Sequence, residues 1–212
     1  MNIKKTANLL INFALKRVAE IFGVIVFISG ILLMSALLTY SPEDPNFIFP
    51  DNTEIKNILG FQGSFVSDLF FQSIGLISYL FSLTLIISGI NIFRTKEFFL
   101  FIENTFFSIL YILFGSLFFA YYYIDAFTLY INGNGGFIGS YLNQSFFISL
   151  IKFNETISFF ILIFIIIFFF LTSVNFKPVN FYNSIKKVIK FFQKEKEINY
   201  TDKSEIISEY IP

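Results

Sequence analysis

The sequence contains no cysteine, no histidine and no tryptophan. Without cysteine there is no disulfide, no thiolate nucleophile and no thiolate metal ligand. Without histidine the commonest general base near neutral pH is missing, together with the imidazole ligand of most zinc sites. Charge is also scarce: Asp, Glu, Lys and Arg make up 14% of the 212 residues, and 15 of each sign leave a net charge of zero. That balance points to neither nucleic acid nor an acidic partner, so the placement of the charges carries the information.

What the chain has instead is apolar surface. It is 55% hydrophobic with a mean hydropathy of +0.70, against roughly 45–50% apolar and about 25% charged residues in soluble domains. A membrane protein is the class this implies. The 34 phenylalanines, alongside much Ile, Lys and Asn, match the residue usage of an AT-rich genome and do not by themselves mark an aromatic binding surface.

A spanning helix needs about 20 mostly apolar residues, and charges inside hydrocarbon are costly. Four long charge-free gaps meet that requirement: Glu20 to Glu43, Asp68 to Arg94, Glu103 to Asp125 and Glu155 to Lys177. They predict an all-α polytopic membrane fold with spans at about 18–40, 69–93, 99–123 and 155–175. A membrane domain over 18–175 would then separate a cytoplasmic segment, 1–17, from a cytoplasmic tail, 176–212. The first segment could be a signal peptide, but its apolar run is too long and an Ala-x-Ala cleavage pattern is missing, so it reads as a retained anchor. A fifth uncharged interval, Asp125 to Lys152, has Asn132-Gly133-Asn134-Gly135-Gly136 at its centre. This reads as a loop, with a re-entrant segment as the alternative for residues 126–151.

Lys and Arg collect in three places: Lys4, Lys5, Lys16 and Arg17; Arg94 and Lys96; and Lys177 onward. The other two connections hold only Lys56 and Lys152. The positive-inside rule places both termini in the cytoplasm. In the tail, Ile185, Val188, Ile189 and Phe192 recur at helical spacing among Lys186, Lys187, Lys190 and Lys194. That pattern predicts an amphipathic helix on the anionic lipid of the inner leaflet. Past Lys196 the composition is that of a linker.

Tyr40-Ser41-Pro42-Glu43-Asp44-Pro45 closes the first apolar segment, and its prolines end the helix at the membrane surface; a simple stop signal is the plainer reading. Leu59 to Leu69 leads into the second segment, where Gly60, Ser64, Ser67, Gly75, Ser78, Ser82 and Gly89 fall on one helical stripe. Small residues let helices approach closely in lipid, so the stripe is a candidate for helix packing and oligomerisation. A continuous helix from Gly60 to Phe93 would reach roughly 50 Å, beyond the roughly 30 Å hydrocarbon core, so its first turns should stand outside. Asp68 and Gln72, one turn apart, would lie near the outer interface, available to another helix or subunit, or simply snorkelling.

The glycines at 133–136 lack the Lys and Ser/Thr spacing of a phosphate loop, and no Gly-x-x-x-x-Gly-Lys-Ser/Thr cradle occurs anywhere. No ionisable residue falls centrally in a predicted span, where a proton relay or ion path would need one. No catalytic, cofactor or metal residues are therefore assigned.

In order along the chain stand Tyr-Ser-Pro-x-Asp-Pro (Tyr40, Ser41, Pro42, Asp44, Pro45), Leu-Gly-x-x-Gly-Ser-x-x-Ser-Asp-Leu (Leu59 to Leu69, with Gly63), Gln72-x-x-Gly75, Tyr79, Arg94 and Gly-Gly-x-x-Gly (Gly135, Gly136, Gly139). This order resembles the amino-terminal four-helix membrane domain of the FtsK/SpoIIIE DNA translocases, over roughly 15–175 and most specifically from Tyr40 to Arg94. The resemblance implies a multi-pass domain of the bacterial inner membrane that anchors a septal DNA pump. It also implies a homo-oligomeric ring of six, contact with divisome proteins, and a role linking chromosome partition to division. The family's motor and DNA-reading parts have no counterpart in these residues, so no direct nucleic-acid binding is expected. The competing readings are a small transporter or channel and, more remotely, an intramembrane enzyme.

Overall fold

The computed structural model describes residues 3–45, 54–124 and 132–179, with Tyr182, Asn183, Lys186 and Ile189 beyond them. The chain divides into two compact units, Met1–Asn175 and Phe176–Pro212. In the second unit the described residues from Pro178 onward are helical and exposed. Most of the expected basic amphipathic helix, including Ile185, Lys187, Val188, Lys190, Phe192 and Lys194, lies outside the described residues.

The first unit is all helix among the described residues. Its elements are α1 (Ile3–Leu38), α2 (Gly60–Ile74), a 3-10 turn (Gly75–Ile77), α3 (Ser78–Thr95), α4 (Phe99–Tyr122), α5 (Gly136–Leu142), α6 (Phe147–Phe153) and α7 (Glu155–Ser173). Four runs are long and apolar enough to cross a membrane: Asn8–Leu38, Gly60–Thr95, Phe99–Tyr122 and Glu155–Ser173. The protein is thus an all-α, polytopic membrane fold. We refer to the end carrying Leu38, Tyr122 and Glu155 as distal, and the end carrying Glu20, Lys96 and Asn175 as proximal.

Three elements differ from what the sequence leads one to expect. Helix α1 starts at Ile3, well ahead of the span expected from about residue 18, because nothing between Lys4 and Leu38 breaks a helix. Arg17 donates to Glu20 at 2.5 Å and lies 5.0 Å over the Phe13 ring. The second long run is not continuous, because Gly75 adopts φ 70° and ψ −149°, which only glycine tolerates. The interval read as a loop contains α5 and α6, each of 7 residues.

Helices α1 and α3 form the tightest pair. A Cβ built on Gly89 would lie 2.5 Å from the Phe27 nitrogen and 2.7 Å from the Gly23 carbonyl oxygen. One on Gly30 would lie 2.7 Å from the Ile86 nitrogen. Backbone therefore packs on backbone, the close approach that gives dispersion contact where apolar surface gains nothing by leaving lipid. At the proximal end Lys96, left-handed at φ 60°, caps α3 and pairs with Glu20 at 2.8 Å. Helices α4 and α7 pack through rings, with Phe169 stacked on Phe107 and Phe114, and Phe118 against Phe159.

These contacts separate two glycines of the same stripe. Gly89→Leu is expected to lower the thermal unfolding midpoint in detergent strongly, since overpacking costs about 1–3 kcal/mol even where atoms can shift, and here they are backbone. Gly60 has φ 65° with open space around it. Gly60→Asn, whose side chain tolerates the left-handed region, should move the midpoint little.

Candidate functional site

The sequence motifs converge at the distal end in two connected polar clusters. The first ties the segment after α1 to the start of α2. Pro42 and Pro45 prevent the helix from continuing, and the chain turns so that the Asp44 N–H reaches the Ser41 carbonyl at 3.2 Å. Asp44 is 0% exposed. Its carboxylate accepts the backbone N–H of Lys56 at 2.8 Å and of Asn57 at 2.9 Å. A buried carboxylate is costly unless hydrogen bonded, and these donors supply that compensation.

Asn57, also buried, donates to the Ala36 carbonyl at 2.9 Å and accepts the Leu59 N–H at 3.1 Å. Thr39 Oγ1 accepts the Ile58 N–H at 3.2 Å, and Ser64 donates to the Pro45 carbonyl at 3.1 Å. Tyr40 OH donates to Asp68 Oδ1 at 3.0 Å, and Tyr79 OH to the Leu37 carbonyl at 3.2 Å. At the rim, Lys56 meets Glu43 at 2.5 Å. That ammonium holds the Glu43 carboxyl below its ordinary pKa, and the carboxylate raises that of Lys56.

The second cluster closes the break at Gly75. There the Leu76 N–H donates to the Asn134 carbonyl at 2.9 Å, and Ser116 donates to the Ile74 carbonyl at 2.9 Å. Ser78 Oγ returns to the Gly75 carbonyl at 2.5 Å. Asn132 Nδ2 reaches both the Gln72 carbonyl, at 3.1 Å, and its side-chain oxygen, at 3.2 Å. A Cβ on Gly75, Gly135 or Gly139 would overlap the opposing chain, and Gly136 has φ 64° with the Gly75 nitrogen 2.5 Å from its Cβ position. The glycine-rich segment thus docks on the broken helix and on Ser116 and Ala120 of α4. Asn134 also donates to the Tyr123 carbonyl. The side-chain oxygens of Asn134 and Asn143 have no hydrogen-bond partner among the described residues, and both residues line a cavity of about 230 Å³.

The candidate residues therefore fall into groups. Tyr40, Asp44, Pro45, Ser64 and Asp68 meet in the first cluster, while Gln72, Gly75, Ser78, Gly135, Gly136 and Gly139 meet in the second. Ser41 and Pro42 form the turn that follows α1, partly exposed. Gly63 packs on the Asn57 side chain. Ser67 bonds inside its own helix, to the Gly63 and Ser64 carbonyls, and Ser82 bonds to the Tyr79 carbonyl beside Met34. Gly89 faces α1. Asp68 and Gln72 face different partners within the chain rather than one common neighbour.

Sequence reasoning missed a third set. Between α3, α4 and the end of α7, Thr84 and Tyr111 hydroxyls share a hydrogen bond at 2.8 Å. Asn104, 2% exposed, donates to Ser88 at 3.1 Å and accepts from Asn175 at 2.6 Å. Asn91 donates to the Val174 carbonyl at 2.8 Å. The signal was present as neutral amides inside or bordering apolar runs, but a search confined to ionisable residues passes over them. Among the described residues no group of three or more Asp or Glu is placed to hold a metal ion.

Asp44→Ala should leave two N–H groups without their acceptor, at about 1–3 kcal/mol each, and Pro42→Ala should cost less; thermal unfolding in detergent measures both. The Glu43–Lys56 pair has its own pH signature. Because the Glu43 pKa is lowered in the folded state, its contribution is present above the unfolded value and lost as pH falls through the folded one. The midpoint difference between wild type and Glu43→Gln should therefore shrink on acidification.

The family described as the 4TM region of DNA translocase FtsK/SpoIIIE matches residues 15–185. The chain is similar to the DNA translocase FtsK of Rickettsia bellii, 31% identical over 78 residues, which is 37% of this chain and 10% of the relative. The same protein from Pseudomonas syringae pv. tomato is 34% identical over 67 residues, 31% of this chain and 8% of the relative. That from Caulobacter vibrioides is 33% identical over 73 residues, covering 34% and 9%. The matched stretch is thus a small part of each curated relative. No solved structure matches. With its family region covering most of the chain and laid over four apolar helical runs, this chain belongs to the family of the 4TM region of the FtsK/SpoIIIE DNA translocases.

Proposed function

We propose that this chain is the membrane-anchoring and oligomerising domain of a septal DNA translocase in a bacterial inner membrane, with both termini in the cytoplasm. The observation that carries the reading is the family match over residues 15–185, together with the two distal clusters that join its motif residues. Lys and Arg at Lys16, Arg17, Arg94, Lys96 and Lys177 support the orientation through the positive-inside rule. The domain does no chemistry of its own. Its role is to hold a downstream motor at the division site and to link chromosome segregation to division.

Apart from Gly60, which has open space around it, the small-residue stripe is packed inside the protomer: Ser64, Ser67, Ser78 and Ser82 are buried in a single chain, and Gly89 lies against α1. Ring contacts, with six subunits the expected number, therefore fall on another face, such as the exposed side of α1. The basic tail around Lys186 sits on anionic lipid, and divisome proteins meet the distal connections. The transporter reading gains nothing from the polar set between α3 and α4, whose hydroxyls and amides bond to one another rather than line an open path.

A fluorescent fusion expressed in dividing cells should concentrate at midcell; a uniform membrane signal would sink the septal role. Because the native chain has no cysteine, single-cysteine variants report contacts cleanly. Ile25→Cys, on the exposed side of α1, should crosslink into species larger than a monomer in intact membranes, while Ser82→Cys should not. Monomer alone from a panel of exposed α1 positions would remove the oligomerising part.

A further inference from the structure

Helices α5 and α6 are short, and each has one side packed on the bundle. Gly136 and Gly139 of α5 sit against the Gly75 break and Ser116. Ile151 of α6, 4% exposed, belongs to the cluster of Leu117, Phe118 and Leu162. The other sides are apolar and uncovered. On α5, Phe137 and Tyr141 stack with ring centroids 6.4 Å apart, both exposed. Phe146, which caps the start of α6, and Leu150 and Phe153 within it follow one another at helical spacing, with Phe153 94% exposed.

Depth decides what meets this face. Helix α7 has 19 residues, roughly 28 Å at 1.5 Å per residue, which barely matches a hydrocarbon core of about 30 Å and leaves no turns to spare beyond it. Glu155, its first residue, must therefore lie close to the bilayer surface. Ile151 shares a buried cluster with Leu162, about two turns further in, and with Leu117, more than one turn inside the end of α4, and its carbonyl accepts from the Ser158 hydroxyl of α7 at 3.3 Å. Helix α6 thus lies beside the first turns of α7 rather than beyond them. Helix α7 itself leaves Ile157, Phe160, Ile161 and Phe164 exposed, a surface that hydrocarbon must cover at the same depth. Lys152, exposed at the rim of α6, can lay its stem on this surface and carry its ammonium to a lipid phosphate.

We propose that α5 and α6 form an interfacial helix pair seated in the distal leaflet, with Phe153, Leu150 and Phe146 inserted among the upper acyl chains and Lys152 on a phospholipid phosphate. The connection between the third and fourth spans is then a lipid-bound shelf. It holds the glycine-rich segment at the depth where that segment reaches Gly75. This inference rests on the membrane fold and is independent of the septal role.

The lack of native tryptophan provides a direct test. The full chain carrying Phe153→Trp is reconstituted in phosphatidylcholine–phosphatidylglycerol vesicles containing lipids brominated at shallow or deep acyl positions, with iodide as the aqueous quencher. The expected result is loss of most emission with shallow bromines, less with deep ones, and little with iodide. Phe164→Trp, further along α7, should show the reverse depth order, and Lys152→Glu should increase iodide quenching of the Phe153→Trp reporter. Leu150→Trp serves if the first variant does not fold. Free iodide quenching without bromine quenching would overturn the proposal by placing α6 in water. Protection from both quenchers would also overturn it, by placing α6 against a second copy of the chain.

Discussion

An interrupted helix exposes backbone N–H and carbonyl groups, and near a bilayer those groups have little water to turn to. The break at Gly75 creates that demand, and the rest of the distal architecture follows from meeting it. The Asn134 carbonyl takes the Leu76 N–H, the Ser116 hydroxyl covers the Ile74 carbonyl, and Ser78 covers the Gly75 carbonyl. To bring Asn134 there, the connection between α4 and α7 must fold back onto the bundle, and its glycines let backbone lie on backbone. What looks like a loop in composition is a docking segment in space.

The same constraint explains the polar cluster after α1. Two prolines end the helix, and the chain must return to start α2 without stranding its amides. Asp44 and Asn57 meet that need with side chains, one accepting the N–H groups of Lys56 and Asn57, the other reaching the Ala36 carbonyl. The two clusters meet through α2, which carries Asp68 on the side of Tyr40 and Gln72 on the side of Asn132. Motif residues scattered from Tyr40 to Gly139 thus act as one support for the distal ends of the helices.

Much of this was legible in the sequence and some was not. The four spans could be read because charge is so expensive in hydrocarbon that its absence over a long run is informative. The Tyr40–Pro45 and Leu59–Leu69 motifs could be found, yet their purpose could not: a stop signal and a buried carboxylate bound to distant amides look alike in one dimension. Asn104, Asn91 and Asn175 were missed because a neutral amide in an apolar run carries no mark of whether a partner will face it. Helix α6 was missed because its seven residues are too few for periodicity to separate helix from loop.

The sequence by itself determined the class of molecule, the number of spans and the face of the second run that holds small residues, since these depend on composition and on the fixed rise and period of a helix. Only the tertiary structure decided that this face is used within the chain and that the second run is broken at Gly75. Only it showed that a glycine-rich connection repairs the break. Those outcomes depend on which backbone groups from distant parts of the chain come within hydrogen-bonding reach, and that is a property of packing that no local pattern encodes.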